Sequence, residues 1–148
     1  MNELLTMLEN FYHVSNVKEL LIAFCIALPI GWNREVETRS MGLRTFPLVA
    51  VASCGYMLLG VNMMGETNPD AIARLLTGLM TGIGFIGGGA ILKDGGSVNG
   101  TATAASIWTT GAVGSAVAFQ RYEIAILLAI ISFLILALAK PVKKSINN

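Results

Sequence analysis

Residues 71–108 read AIARLLTGLMTGIGFIGGGAILKDGGSVNGTATAASIW, and the fold turns on how their glycines are understood. From Gly78 to Gly100, nine of 23 residues are glycine. A flexible linker is also glycine-rich, but it carries serine and other polar residues in place of Leu, Ile and Phe. Inside an apolar run, glycine removes side chains so that another backbone can come close. Gly78 and Gly82 stand four apart, as do Gly84 and Gly88. That spacing sets each pair on one helix face, as in the small-residue contact faces of membrane helices. Two uses are open at this point. One is packing alone; the other is a glycine-lined crevice or broken helix that exposes backbone carbonyls to an ion or a lipid head group.

The runs around this stretch decide the class. Thr45 to Gly65, Leu75 to Leu92 and Gly95 to Gln120 carry no charge, and each approaches or exceeds the roughly 18 to 20 residues that span a bilayer. Of 148 residues, 54% are hydrophobic and 13% charged, whereas soluble domains carry about a quarter charged residues. The alternating short segments of a β-barrel are missing. The expectation is a single all-α domain over residues 1–148, a polytopic transmembrane helical bundle with the lipid bilayer as its solvent. A net charge of +1 suggests no nucleic acid partner. Cys25 and Cys54 sit in apolar runs and read as small core residues. His13 is the one histidine, so no His-based metal or catalytic set can be built. The acidic N-terminus predicts no cleaved signal peptide, and no cofactor is implied.

Residues 1–15 predict a short interfacial helix, with Leu4, Leu5, Leu8, Phe11 and Tyr12 on one face. Asn16 and Glu19 have the spacing of a capping box, and a first span follows over about 17–33. Arg34 to Arg44 is the charged segment REVETRSMGLR. Glu35 and Arg39 stand i,i+4 in the order that favours a helical ion pair. Arg34, Arg39 and Arg44 read either as a positive-inside anchor or as a surface for a partner or an anionic lipid head group. A second span covers about 46–64. Asn68, Pro69 and Asp70 are a helix start signal for a third span over about 71–92. Asp70 and Arg74, one turn apart, read as an interfacial pair or as functional charges facing the bundle interior. Lys93 to Gly100 reads as a polar loop. It is no phosphate-binding loop, because GGSVNGT lacks the required GK[ST] ending. In the fourth span, about 100–119, Ala102, Ser106, Thr110 and Gly114 make a small-residue ladder that predicts a central helix. The fifth, about 122–140, carries bulky Ile and Leu all round and reads as lipid-facing.

Five spans place the Arg34–Arg44 segment, Lys93 and the C-terminal lysines on one side. Seven basic residues lie there, against Lys18, Arg74 and Arg121 on the other. The richer side is expected to be cytoplasmic, which leaves the N-terminus outside.

Four motifs then carry a resemblance. GWNRE with GLRTFPLV, NPDAIARLLTGLMTGIGFIGGGAIL, and VNGTATAASIWTTGAVG, in this order, resemble the membrane domain of the MgtC/SapB family over roughly Gly31 to Gly114. Two departures stand out. Members often have an acid where this chain has Asn33, and often read GLTTAAS where it has Gly100 to Ser106. The resemblance covers the membrane domain only, and the chain is expected to lack the soluble C-terminal ACT-like domain of longer members. The family's Arg-Glu and GLRT residues map onto Arg34, Glu35, Gly42, Leu43, Arg44 and Thr45. Its Asp…Arg pair maps onto Asp70 and Arg74. The resemblance implies a bacterial inner-membrane protein linked to growth in low magnesium and to virulence. It further implies action on other membrane machines, the proton-driven ATP synthase among them.

Three functions compete. A regulatory or scaffolding protein needs contact faces and a charged surface. Gly78, Gly82, Gly84, Gly88 and the ladder supply the first, while Arg34, Glu35, Arg39, Arg44, Asp70, Arg74 and Lys93 supply the second. A homo-oligomer, most simply a dimer, fits this reading. A small transporter or channel for Mg²⁺ or another ion needs polar groups at mid-membrane. The acids all fall at or beyond expected helix ends, which disfavours a dedicated path for a hard cation. An intramembrane enzyme fails for want of a nucleophile–base pair.

Overall fold

Why do these residues make helices, and where do they stop? The computed structural model describes residues 14–38, 41–64 and 68–146, the side chains of 14, 15, 38, 64, 94 and 139–146 excepted. Helix α1 spans Val14–Thr38, α2 Thr45–Met64 and α3 Pro69–Gly89. Strands β1 (Leu92–Asp94) and β2 (Ser97–Asn99) follow, then α4 (Thr101–Ala118) and α5 (Tyr122–Ile146). The interfacial helix expected over residues 1–15 falls outside the described residues except for its last two positions. His13, Arg39 and Glu66 also lie outside them.

Several boundaries differ from the expected ones, each for a local reason. Helix α1 continues past the apolar run, so Arg34 and Glu35 belong to its last turns and not to a loop. Arg34 and Glu37, at i,i+3, hold the extension with an N–O distance of 3.5 Å. At the other end Asn16 is already inside the helix, so the capping box does not form; Glu19 turns inward instead. Helix α3 starts as expected: Asn68 Oδ1 accepts the Ala71 N–H at 3.2 Å and Pro69 sits in the first turn. It ends at Gly89, three residues early, because residues 92–99 are a β-hairpin and not an unstructured loop. Its register pairs Leu92 with Asn99 and Asp94 with Ser97. Gly95 and Gly96 take φ of +52° and +89°, the two positive φ values that a tight two-residue hairpin turn demands.

The core is built on α4, which packs against each of the other four helices. Its Thr103, Ser106, Ile107, Thr110, Gly111, Val113, Gly114 and Val117 are buried. A Cβ on Gly114 would overlap the Ala50 carbonyl of α2, so here two backbones touch. The buried hydroxyls of Ser106 and Thr110 are accommodated in this apolar setting because each bonds its own helix. Ser106 Oγ donates to Ala102 O at 2.7 Å, and Thr110 Oγ1 to Ser106 O at 2.7 Å. Ala102, the first rung of the expected ladder, is exposed.

Helix α5 corrects a second expectation. It is not bulky all round: Ala125, Ala129, Ser132 and Leu136 form a buried seam at spacings of four, three and four. The large Ile and Leu residues occupy the rest of its surface.

Two helices, α2 over Thr45–Met63 and α3 over Pro69–Gly89, are long and apolar enough to cross a membrane by length and composition. The apolar part of α5, Tyr122–Leu138, is shorter. Contacts gather at two ends of the bundle, Met41 beside Leu92, Asn99 and Thr103 at one, and Glu19 with Tyr122 and Gly60 with Leu75 toward the other. One carries the α1–α2 turn and the hairpin. The other carries the starts of α1, α3 and α5.

Candidate functional site

At the first end, the chain folds back on itself over two glycines. Gly42 lies so close to Glu35 that a Cβ there would overlap the Glu35 backbone and side chain. A Cβ on Gly31 would stand 3.3 Å from Gly42 O and 3.3 Å from Phe46 Cβ. Glu35 Oε2 accepts the Leu43 N–H at 3.0 Å. This carboxylate therefore ties the last turns of α1 to the turn that leads into α2. Arg34 is 6% exposed, and its guanidinium donates to Asn33 Oδ1 at 3.2 Å. Asn33, where relatives of the resembled family often have an acid, thus still supplies an oxygen to the arginine. Arg44 and Lys93 are exposed at the same end. A cavity of about 320 Å³ between Met41, Leu92, Asn99 and Thr103 joins the α1–α2 turn to the hairpin.

The glycine-rich helix behaves differently from expectation. In α3 only Ile83 and Gly87 are buried. Gly87 packs on the α4 backbone, where an added Cβ would lie 3.2 Å from Ala104 O, and Ile83 fills the space above Gly111. Gly78, Gly82, Gly84 and Gly88 make none of the close contacts their spacing suggests: a Cβ on any of them would meet nothing within 4 Å. None of the four is packed against the rest of the chain.

Those open positions fall into two strips. At 3.6 residues per turn, Thr77, Thr81, Gly84 and Gly88 line up at spacings of four, three and four, all exposed. Both hydroxyls are satisfied inside the helix, Thr77 Oγ1 to Ala73 O at 2.9 Å and Thr81 Oγ1 to Thr77 O at 2.8 Å. The strip is therefore flat, small and without unmet polar groups. The second strip, Arg74, Gly78 and Gly82, lines a groove of about 600 Å³ between α3 and α2. Tyr56, Ser53 and Val49 form the facing wall, and Arg74 alone among the lining residues is charged.

The ion pair expected between Asp70 and Arg74 does not form; both side chains are exposed. An exposed pair gains at most about 1 kcal/mol and must order two side chains. Asp70 stays in the first turn, where the helix dipole favours an acid, while Arg74 lies along the groove.

One buried acid escaped the sequence reading. Glu19 is 2% exposed, and Tyr122 Oη lies 2.7 and 2.8 Å from its two carboxylate oxygens. Lys18 Nζ stands 5.7 Å from the centre of the Tyr122 ring. A signal was present: Glu19, Ala23 and Ala27 recur every four residues, and all three are buried. Among the described residues, no group of three or more His, Cys, Asp or Glu is placed to hold a metal ion.

Known proteins share this chain's pattern over most of its length. The MgtC family profile matches residues 20–145. Protein MgtC of Salmonella typhimurium is 30% identical over 132 residues, covering 89% of this chain and 55% of its own length. Protein SrpB of Synechococcus elongatus is 33% identical over 119 residues, covering 73% of this chain and 65% of its own. Protein MgtC of Brucella abortus is 38% identical over 92 residues, 62% of this chain and 37% of its own. The chain thus spans 55% and 65% of the length of the first two relatives. No solved structure matches it. The matched region takes in the Glu35–Gly42 turn, both strips of α3 and the whole of α4, and on this match the chain is a membrane protein that belongs to the MgtC family.

Proposed function

We propose that the protein regulates ion homeostasis, magnesium foremost, or membrane energetics by touching other proteins within a bacterial inner membrane. The observation that carries this is the strip Thr77, Thr81, Gly84 and Gly88. It has the spacing of a helix-pair seam and the small side chains that let membrane helices approach. This chain leaves it empty. Its occupant is a helix of a second copy or of a larger membrane machine such as the ATP synthase. Five spans with the N-terminus outside fit this reading, since they gather Arg44 and Lys93 on the cytoplasmic side.

The test is substitution within the strip. Gly84→Leu enters open space, so the fold holds, but the bulk blocks a neighbouring helix. It is expected to abolish rescue of growth in low magnesium by an otherwise intact protein. Disulfide cross-linking from Gly84→Cys in native membranes should trap the neighbour. Full rescue by Gly84→Leu would overturn the reading. The alternative, a small transporter of Mg²⁺ or another ion, is tested by flux into liposomes holding only the purified protein; flux above that of empty vesicles would favour it.

A further inference from the structure

The groove between α2 and α3 has a shape and a polarity that the contact strip does not account for. Its walls are apolar, from Val49 and Ala52 on one side to Leu75, Gly78 and Ile86 on the other. Gly78 and Gly82 keep it deep, because neither carries a side chain to fill it. It runs along α3 from Arg74 to Ile86, twelve residues, or about 18 Å at 1.5 Å per residue. One leaflet of a bilayer holds about 15 Å of hydrocarbon, half of the roughly 30 Å core. The groove is therefore as long as one acyl chain is deep.

Its two ends differ. Arg74 lies in the second turn of α3, near the end of the bundle, and Phe85 and Ile86 lie deeper. Among the described residues Arg74 forms no ion pair. Tyr56 stands on the opposite wall, 60% exposed. A guanidinium presents a rigid fork of donors that matches phosphate, and a positive charge set beside hydrocarbon is stabilised by an anion. A cation at the membrane surface above a single-chain trough is complementary to an anionic amphiphile.

We propose that this groove is a binding site for an anionic phospholipid, with the phosphate held by Arg74 and one acyl chain laid along Gly78 and Gly82. Arg74 fixes the head-group charge, and the glycines admit the chain. The site uses the α2-facing side of α3, so it is independent of the Thr77–Gly88 strip.

Native mass spectrometry of the purified full chain, released from detergent with equal phosphatidylglycerol and phosphatidylcholine of matched acyl chains, tests this. The wild type should retain phosphatidylglycerol several-fold over phosphatidylcholine. Arg74→Gln should equalise the two, while Arg74→Lys keeps a preference. Gly78→Leu, whose Cβ would enter open space and whose side chain would fill the trough, should lower retention of both. Lys93→Gln, a lost charge at the far end, should leave the preference intact. Excess glycerol phosphate should displace nothing, because it has no chain to seat. Equal retention by the wild type, an unchanged preference in Arg74→Gln, loss of preference in Lys93→Gln, or displacement by glycerol phosphate would each overturn the assignment.

Discussion

Glu19 shows what a single residue can hide. Its spacing from Asn16 imitates a capping box, and a cap is the simpler reading for an acid at the start of an apolar run. The fold uses it otherwise. The carboxylate is taken out of solvent, and the Tyr122 hydroxyl, 103 residues away in the chain, meets both of its oxygens. A buried acceptor left without a partner costs about 1–3 kcal/mol. Tyr122→Phe should therefore lower stability by about that amount in thermal unfolding followed by circular dichroism in detergent. Glu19→Gln keeps an acceptor for the hydroxyl and should cost less. The double variant should be milder than the sum of the two, as coupled neighbours are. Additive losses would mean that the two side chains act separately. Arg34 and Glu35 lie at the opposite pole of legibility. Their motif marks them at once, yet only the folded chain reveals that Glu35 serves the backbone of Leu43 and that Gly42 is glycine to make room for it.

At the scale of the element, the glycine spacings of α3 and the small-residue ladder of α4 look alike in sequence, and they have opposite fates. A GxxxG spacing says which residues share a face; it does not say what the face meets. The ladder is filled by α2 at Gly114, while four glycines of α3 meet nothing of their own chain. Stability should follow the packing. Gly114→Leu drives a side chain into the Ala50 carbonyl and should cost more than the roughly 1–3 kcal/mol of ordinary overpacking. Gly88→Leu should leave the unfolding temperature of the isolated protein close to wild type. Equal losses at both positions would refute an open α3 face. The hairpin is legible only in part. GG between short polar runs announces a turn, but three-residue strands lie below what alternation can reveal.

For the whole molecule, the helical class and the order of the segments can be read from hydropathy, because uncharged runs of span length are rare outside a bilayer. Helix ends are less legible, since α1 carries its charged residues on as helix and α3 stops short for the hairpin. The topology proposed above, with the N-terminus outside and the C-terminus in the cytoplasm, rests on the distribution of basic residues. Cysteine labelling at Asn2 and Asn148, with Cys25 and Cys54 replaced, should mark the two termini from opposite sides of the membrane; labelling from one side would contradict it. The thin seat of α3 has one more consequence. Because Ile83 and Gly87 are its only buried residues, the free energy that holds it to the bundle is a small part of the total. Partial opening of a protein begins where buried contact is least. Helix α3 is thus the element expected to separate first from α1, α2, α4 and α5, and amide hydrogen exchange should run faster along it than along α4.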